Sequence, residues 1–550
     1  RAAPGGAIGV AHRIATRDLP APPTRGTVAE ERAALETASH ALRTRLSQAS
    51  DHSGIAEAHM SLLDDPEFRA AVADEIAAGA SAPAAWRAAT RREIAALEAT
   101  GNTLFAQRGA DLLDVERRIV ALLVGEESGR ADLPENAIVI ADDLLPSEFL
   151  ALDHARLAGI ATVKGGPTSH TALLAASRGI PMLVSCPAEI LKIVDAEPLL
   201  LDPDAPVLHR RPEPELVDRI AGDLEHDRAR AQAETSAARE DCFTADGARV
   251  EVFANCGSAE DAEAAVRHGA EGCGLLRTEF LFLGQQRAPS RDEQTAAYRE
   301  IAEALAGRPL IVRTLDAGSD KPLAFLAMAA EPNPALGARG IRLSLRNLAL
   351  LEEQFLAILQ GVPAGQCRIM VPMVVDLAEF RAAQSLLRAT EQRLDVTVPT
   401  PLGVMVETPA AALIAEELAR EADFLSLGSN DLAQYTLAAD RQNPALASAA
   451  DPLHPAVLRL IHRTTEGAHA QGKGVGICGS LASDSMATAL LIGLGLDELS
   501  VGPRSVPAIK ARVRQLRLQE CRHLADAALR ESTAEGVRRL IREAEGETSL

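Results

Sequence analysis

Residues 402–437 read LGVMVETPAAALIAEELAREADFLSLGSNDLAQYTL. A short uncharged run, Leu402–Val406, stops at Glu407. An Ala-, Leu- and Glu-rich stretch follows, and a second short run, Phe424–Gly428, stops at Asn430 and Asp431. Short apolar runs alternating with helix-like stretches are the pattern of strands buried on both faces of a helix-covered parallel sheet. Six further runs flank these two: VEVFAN (250–255), GCGLLR (272–277), PLIVRTLD (309–316), RIMVPMV (368–374), GVGICG (474–479) and ELSVG (498–502). Eight βα repeats beginning near residue 247 predict a TIM barrel.

Upstream, GAIGVAHRI (6–14), AIVIAD (137–142), GIATVKGG (159–166), IPMLVS (180–185) and LLLD (199–202) read as strands of a second α/β unit. A stretch of different character interrupts it. Residues 25–135 are rich in Ala, Leu, Arg and Glu, and Leu35, Ala38, Leu42 and Leu46 fall near helical spacing, so an all-helical insert is expected. The predicted layout is α/β at 1–24 and 136–208, the insert at 25–135, a charged helical linker at 209–240, and the barrel at 241–550.

The 550 residues carry 56 basic and 77 acidic side chains, a net charge of −21. With 47% apolar residues the chain has real cores, which excludes wholesale disorder. The acidic balance and 3% aromatic content argue against general nucleic-acid binding, which needs clustered Lys and Arg or base-stacking surfaces. No apolar run reaches the ~20 residues of a membrane-spanning helix. Seven scattered cysteines with no CxxC pair, and no secretory signal, read as a reduced cytoplasmic protein. The chain starts at Arg1, which carries the expectation that it begins partway along a longer protein.

Barrel chemistry sits at the C-terminal ends of the strands. There the sequence sets Arg277, Arg313, Asp316, Lys321, Glu407, Asn430, Asp431, Arg441 and Cys478, with Arg339 and Arg342 on the loop NPALGARGIR. Converging guanidiniums suit a small polyanion, because their fork matches carboxylate and phosphate. Glu407 and Asp431 suit Mg²⁺, which takes one or two protein carboxylates and completes its shell with water and substrate oxygens. Among these charges Cys478 can give or take a proton. Any one of them alone reads as a salt-bridge partner or a small buried side chain; their convergence on one mouth favours function.

A second signal is KGGPTSHTALLA (164–175). Gly165 and Gly166 allow a tight turn, Thr168 and Ser169 are natural helix caps, and His170 falls in the first turn, where free N–H groups favour an anion. Beside a polyanion-and-Mg²⁺ barrel, this is read as a phosphohistidine carrier.

GGPTSHTALLA, GCGLLRTEFLFL, NPALGARGIR, GVMVETPA, SLGSNDLAQYTLAADR and GICG together resemble, in order, the signature segments of enzyme I of the phosphoenolpyruvate-dependent sugar phosphotransferase system. The resemblance covers nearly the whole chain, and the start at Arg1 adds the expectation of an enzyme I module from a fused multiphosphoryl transfer protein. It implies phosphoryl transfer from phosphoenolpyruvate to His170, release of pyruvate, and onward transfer to the carrier protein HPr docked on the insert. Arg277, Arg313, Arg339, Asn430, Asp431 and Arg441 would bind substrate, Glu407 and Asp431 would hold Mg²⁺, Cys478 would protonate the enolate, and the barrel would carry a homodimer interface. Three departures stand out. Ala175-Ala176 replaces the family's Ala-Arg, leaving Arg178 as the nearest arginine; Ser480 replaces a Glu after Cys478-Gly479; and Ser429 replaces a Thr. The alternative is a pyruvate, phosphate dikinase or phosphoenolpyruvate synthase relative without its nucleotide domain, since the insert lacks a Gly-rich phosphate loop. A non-catalytic scaffold of the same fold is disfavoured by the intact Arg, Glu, Asp, His and Cys set.

Overall fold

The computed structural model describes residues 2–3, 5–14, 26–48, 55–99, 103–125, 132–166, 169–203, 205–283, 285, 287–318, 323–326, 331–441, 443, 446 and 449–546. The chain divides into two units, Arg1–Arg228 and Ala229–Leu550.

The first unit is built on a six-stranded sheet. Its strands are β1 (Ala7–Ile14), β2 (Ala137–Ala141), β3 (Leu157–Thr162), β4 (Met182–Leu183), β5 (Pro198–Leu201) and β6 (Leu208–Arg210), in the order β4-β3-β2-β1-β5-β6. The neighbours from β4 to β1 are parallel, and β5 pairs antiparallel with both β1 and β6. All five residues of β2 are buried. Its side chains alternate: Ala137 and Val139 enter one core with Phe149 and Leu174, and Ile138 and Ile140 enter another with Ile193 and Leu199.

Between β1 and β2 the described residues form five helices: α1 (Val28–Gln48), α2 (Ile55–Asp64), α3 (Pro66–Ala77), α4 (Ala82–Ala99) and α5 (Thr103–Val124). Ala38, Leu42 and Leu46 of the expected stripe are buried, with Leu63, Val72, Ile76, Trp86 and Ile119, and Leu35 packs against them. Phe68 meets Trp86 edge-on at 5.1 Å between ring centroids. The start of α3 is fixed locally: the Asp65 side chain accepts from the N–H groups of Glu67 and Phe68, and Pro66 opens the helix. Two helices follow on the sheet, α6 (Pro146–Ala151) and α7 (His170–Ser177).

Helix α8 (Pro214–Ala237) falls within the stretch expected as a helical linker; it is mostly exposed, and Ile220 is its buried residue. The beginning of the connector differs from the sequence reading. Residues 209 and 210 belong to β6, because Leu208–Arg210 ladders onto β5 and Arg210 forks onto Glu197 at 2.8 and 3.1 Å. A three-residue strand ending in charge carries too little apolar pattern to be read as one.

The second unit is a closed parallel barrel of β7 (Glu251–Cys256), β8 (Cys273–Leu276), β9 (Leu310–Arg313), β10 (Cys367–Val371), β11 (Leu402–Val406), β12 (Leu425–Gly428), β13 (Val475–Cys478) and β14 (Glu498–Val501). Each lies within or against one of the eight runs read from the sequence. Leu275, Ile311, Met370, Met405 and Cys478 form an interior cluster. Strand β14 pairs with β7 to close the ring, and the seam is stitched on both sides: Asn255 Nδ2 donates to the Ser500 carbonyl at 3.1 Å, and Ser500 Oγ donates to Asn255 Oδ1 at 2.8 Å. Among the described residues no helix is long and apolar enough to cross a membrane.

Candidate active site

A cavity of about 320 Å³ opens at the C-terminal mouth of the barrel. Arg277, Arg313, Glu407, Asn430, Asp431, Arg441 and Cys478 all line it. They converge because strand ends place them there: Arg313 and Cys478 are the last residues of β9 and β13, Arg277 and Glu407 follow β8 and β11, and Asn430 and Asp431 lie in the first turn of the helix Ser429–Leu437 after β12.

Charge in this mouth is tightly paired. Arg313 donates to Glu279 Oε1 at 2.7 Å and stands 3.5 Å from Asp316 and 4.0 Å from Glu407. Burial opposes its charge, yet Glu279, Asp316 and Glu407 together hold its pKa above the ordinary value. Arg441 donates to Asp431 at 3.2 Å. Glu407 accepts the N–H of Met373 at 3.0 Å, and its pKa is pushed up to about 8 by burial and then by Asp431 and Asp316. Cys478 is buried and its thiol donates to the Leu427 carbonyl at 3.4 Å. Burial, then the charge of Glu407, pushes its pKa up to about 12, so the thiol keeps its proton at neutral pH.

Arg339 lies elsewhere than a substrate contact would require. It is 1% exposed and absent from the cavity wall, with its guanidinium bound to Asp316 at 2.9 and 3.0 Å and to Asp431 at 3.1 and 3.3 Å. Its chemistry is that of a bolt joining two carboxylates behind the wall. Arg342 faces Glu379 at 3.7 Å instead of the cavity. Lys321 lies outside the described residues.

The histidine loop is built in the first unit. Ser169 caps α7, its side chain accepting from Ala172 N–H at 3.3 Å, and His170 is the first helical residue. Gly165 takes φ +91°, a conformation that favours glycine. Pro167 and Thr168 lie outside the described residues. The His170 imidazole is about one-third exposed, and its Nδ1 is 3.2 Å from Asp111 Oδ1. That hydrogen bond raises the His170 pKa against the opposing effect of burial. Behind Asp111 sits His59, fully buried, with Nε2 4.0 Å from Asp111 and 3.8 Å from Asp114. Neither of its ring nitrogens has a hydrogen-bond partner among the described residues. Burial lowers the His59 pKa despite the two carboxylates. Arg178 lies over the ring of Phe149, 5.5 Å from its centroid.

Family descriptions match nearly the full length. The PEP-binding domain of PEP-utilising enzymes matches residues 231–518, their N-terminal domain residues 1–108, and their mobile domain residues 133–205. A phosphoenolpyruvate-protein phosphotransferase of Geobacillus stearothermophilus is 37% identical over 559 residues, covering 98% of this chain and 96% of that one. The chain belongs to the PEP-utilising enzymes. Multiphosphoryl transfer proteins of Xanthomonas campestris pv. campestris and Rhodobacter capsulatus are 39% and 41% identical over 559 and 525 residues, covering 99% and 92% of this chain. The chain spans 67% and 62% of those two proteins, about two thirds of their length.

Against this PEP-utilising background, the residues that the sequence reading missed are partners, not ligands. Glu279 lines the cavity and holds Arg313, and its signal was available two positions after Arg277. Asp111 reaches His170 from α5, with His59 of α2 behind it, and nothing in their local sequence separates them from other polar residues of the helices.

Proposed function

We propose that this chain moves the phosphoryl group of phosphoenolpyruvate to Nε2 of His170, releases pyruvate, and passes the phosphoryl group on to a histidine of HPr. The observation that carries the reading is the convergence of three arginines, an asparagine, four acidic side chains (Glu279, Asp316, Glu407 and Asp431) and a protonated thiol on one cavity of about 320 Å³. Arg277, Arg313 and Arg441 match the carboxylate and phosphate of the substrate. An ionised Asp111 can only accept, so it holds the proton of neutral His170 on Nδ1 and leaves the Nε2 lone pair as nucleophile. As the P–O bond to the enol oxygen breaks and the N–P bond forms, the organic fragment is an enolate whose methylene carbon needs a proton. Cys478 holds one among arginines that stabilise the resulting thiolate, and solvent returns the proton after pyruvate leaves.

Mg²⁺ belongs to the same reading. Glu407 and Asp431 are a donor set of two carboxylates facing one cavity, which fits an ion that completes its octahedron with substrate oxygens. When bound, the ion would neutralise charge on the phosphoryl and carboxylate oxygens. The insert at 25–135 is taken as the HPr-docking surface, next to the imidazole it must discharge. The protein is taken as cytoplasmic, which its free cysteines suit, and as a dimer through the barrel, whose surface carries exposed Val398 and Leu413.

Incubation with ³²P-labelled phosphoenolpyruvate and Mg²⁺ tests the reading. Acid-labile label on His170, chased by HPr, is the expected result. Labelling by ATP in place of phosphoenolpyruvate would point to the dikinase alternative, and no label from either would leave a scaffold.

A further inference from the structure

We propose that Ser480 is a positioning residue that sets which edge of the Asn430 amide faces the substrate. The backbone N–H of Ser480 points at one corner of that amide, at 3.1 Å, and the Ser480 hydroxyl reaches the same corner at 2.8 Å. A backbone N–H can only donate, so the atom it meets is the carboxamide oxygen. The amide is planar, and Asn430 lines the cavity while Ser480 does not. With Oδ1 held by Ser480, Nδ2 is the polar edge left for the cavity. A cavity lined by arginines then presents one more donor, directed at an anionic oxygen.

The backbone around this contact is shaped for it. Gly479 takes φ +101°, and a Cβ there would meet Ser429 Oγ at 2.3 Å and Asn430 Oδ1 at 3.1 Å. Ser429 Oγ in turn donates to the Cys478 carbonyl at 2.8 Å. The loops after β12 and β13 are thus laced together by three bonds, and Ser480 ties the Asn430 donor to the strand end that carries the Cys478 thiol. At this position the hydroxyl donates to Oδ1; a carboxylate, which can only accept, would repel the same oxygen.

The proposal rests on the reading of the cavity as a phosphoenolpyruvate site. Ser480→Ala should raise the KM for phosphoenolpyruvate about three- to tenfold, the range for one exposed hydrogen bond, with a smaller change in kcat. Ser480→Thr should restore it, and in an Asn430→Ala background Ser480→Ala should change nothing further. An unchanged KM, or an equal effect with and without Asn430, would overturn the role of Ser480. A wild-type protein that takes no label from phosphoenolpyruvate would instead overturn the functional reading. A ligand-free readout separates the two. The Asn430 side-chain amide resonances, assigned through Asn430→Ala, should move in Ser480→Ala and return in Ser480→Thr. If they stay in place, the hydroxyl does not orient the amide.

Discussion

His170 Nδ1 lies 3.2 Å from Asp111 Oδ1, although 59 residues separate them. One residue opens a helix on the sheet; the other belongs to the helical insert. The insert therefore reaches the imidazole itself, through a side chain of α5.

Asp111→Asn should move the acid limb of His170 phosphorylation to lower pH. The wild-type hydrogen bond raises the imidazole pKa, so the nucleophile is freed only as pH climbs past that raised value. Without the carboxylate it is freed earlier. The plateau rate should nonetheless fall roughly 10- to 100-fold, because the tautomer and ring orientation are no longer fixed. A pH–rate profile of label uptake would show both effects, and an unmoved acid limb would contradict the first.

Cys478→Ala should bind phosphoenolpyruvate with nearly wild-type affinity and form pyruvate at least about 100-fold more slowly, the usual contribution of a positioned acid. Single-turnover pyruvate release beside equilibrium binding would separate the two. Wild-type turnover would make the thiol structural and transfer the protonation to water.

Glu279→Ala should destabilise the barrel by about 3 kcal/mol, since it removes the hydrogen-bonded carboxylate of the buried Arg313 guanidinium and leaves the N–H of Asp316, which donates to Glu279 at 3.1 Å, without its acceptor. Glu279→Gln should cost less, because its amide oxygen can still accept. Urea unfolding of both variants gives the comparison, and equal losses would mean that the charge itself is what matters.

Glu498 bears on pH stability. Its Oε1 has no hydrogen-bond partner among the described residues, and burial followed by the charge of Glu251 pushes its pKa up to about 8. The native state then holds a proton that the unfolded chain releases near pH 4.5. Its contribution falls as pH rises from 4.5 to about 8. Glu498→Gln removes that dependence. The variant should match wild type within ~1 kcal/mol at pH 5 and exceed it by on the order of 3 kcal/mol at pH 9. Denaturation midpoints at the two pH values check it, and parallel curves would contradict it.

The barrel was legible because its strands are buried on both faces, so each reads as an unbroken apolar run. The clearest is Leu402–Val406, all five residues of which are buried. Polar residues such as Glu407 stand out sharply at the ends of such runs. Strand β4 was readable only as a longer run, 180–185, of which Met182 and Leu183 form the ladder. The polar partners were hidden for a different reason. Asp111 is one acid on an amphipathic helix, and its meeting with His170 is created by packing between elements. Arg339 misleads in the opposite sense: its loop reads as a ligand loop, but spacing cannot say which side of the wall a guanidinium takes.

The seam between Asn255 and Ser500 sets the order in which this protein can be made. Its two partners are 245 residues apart. At ~5–20 residues per second, roughly ten to fifty seconds pass between the synthesis of the first strand and that of the last. Throughout that interval β7 has an open edge on the side that β14 will occupy, and the newest strand has another. A chain terminated before residue 498 keeps both edges for good, each a template for pairing with a neighbouring chain. Termination between residues 480 and 497 should therefore yield aggregating protein that chaperones must remove, although every residue lining the mouth has by then been translated.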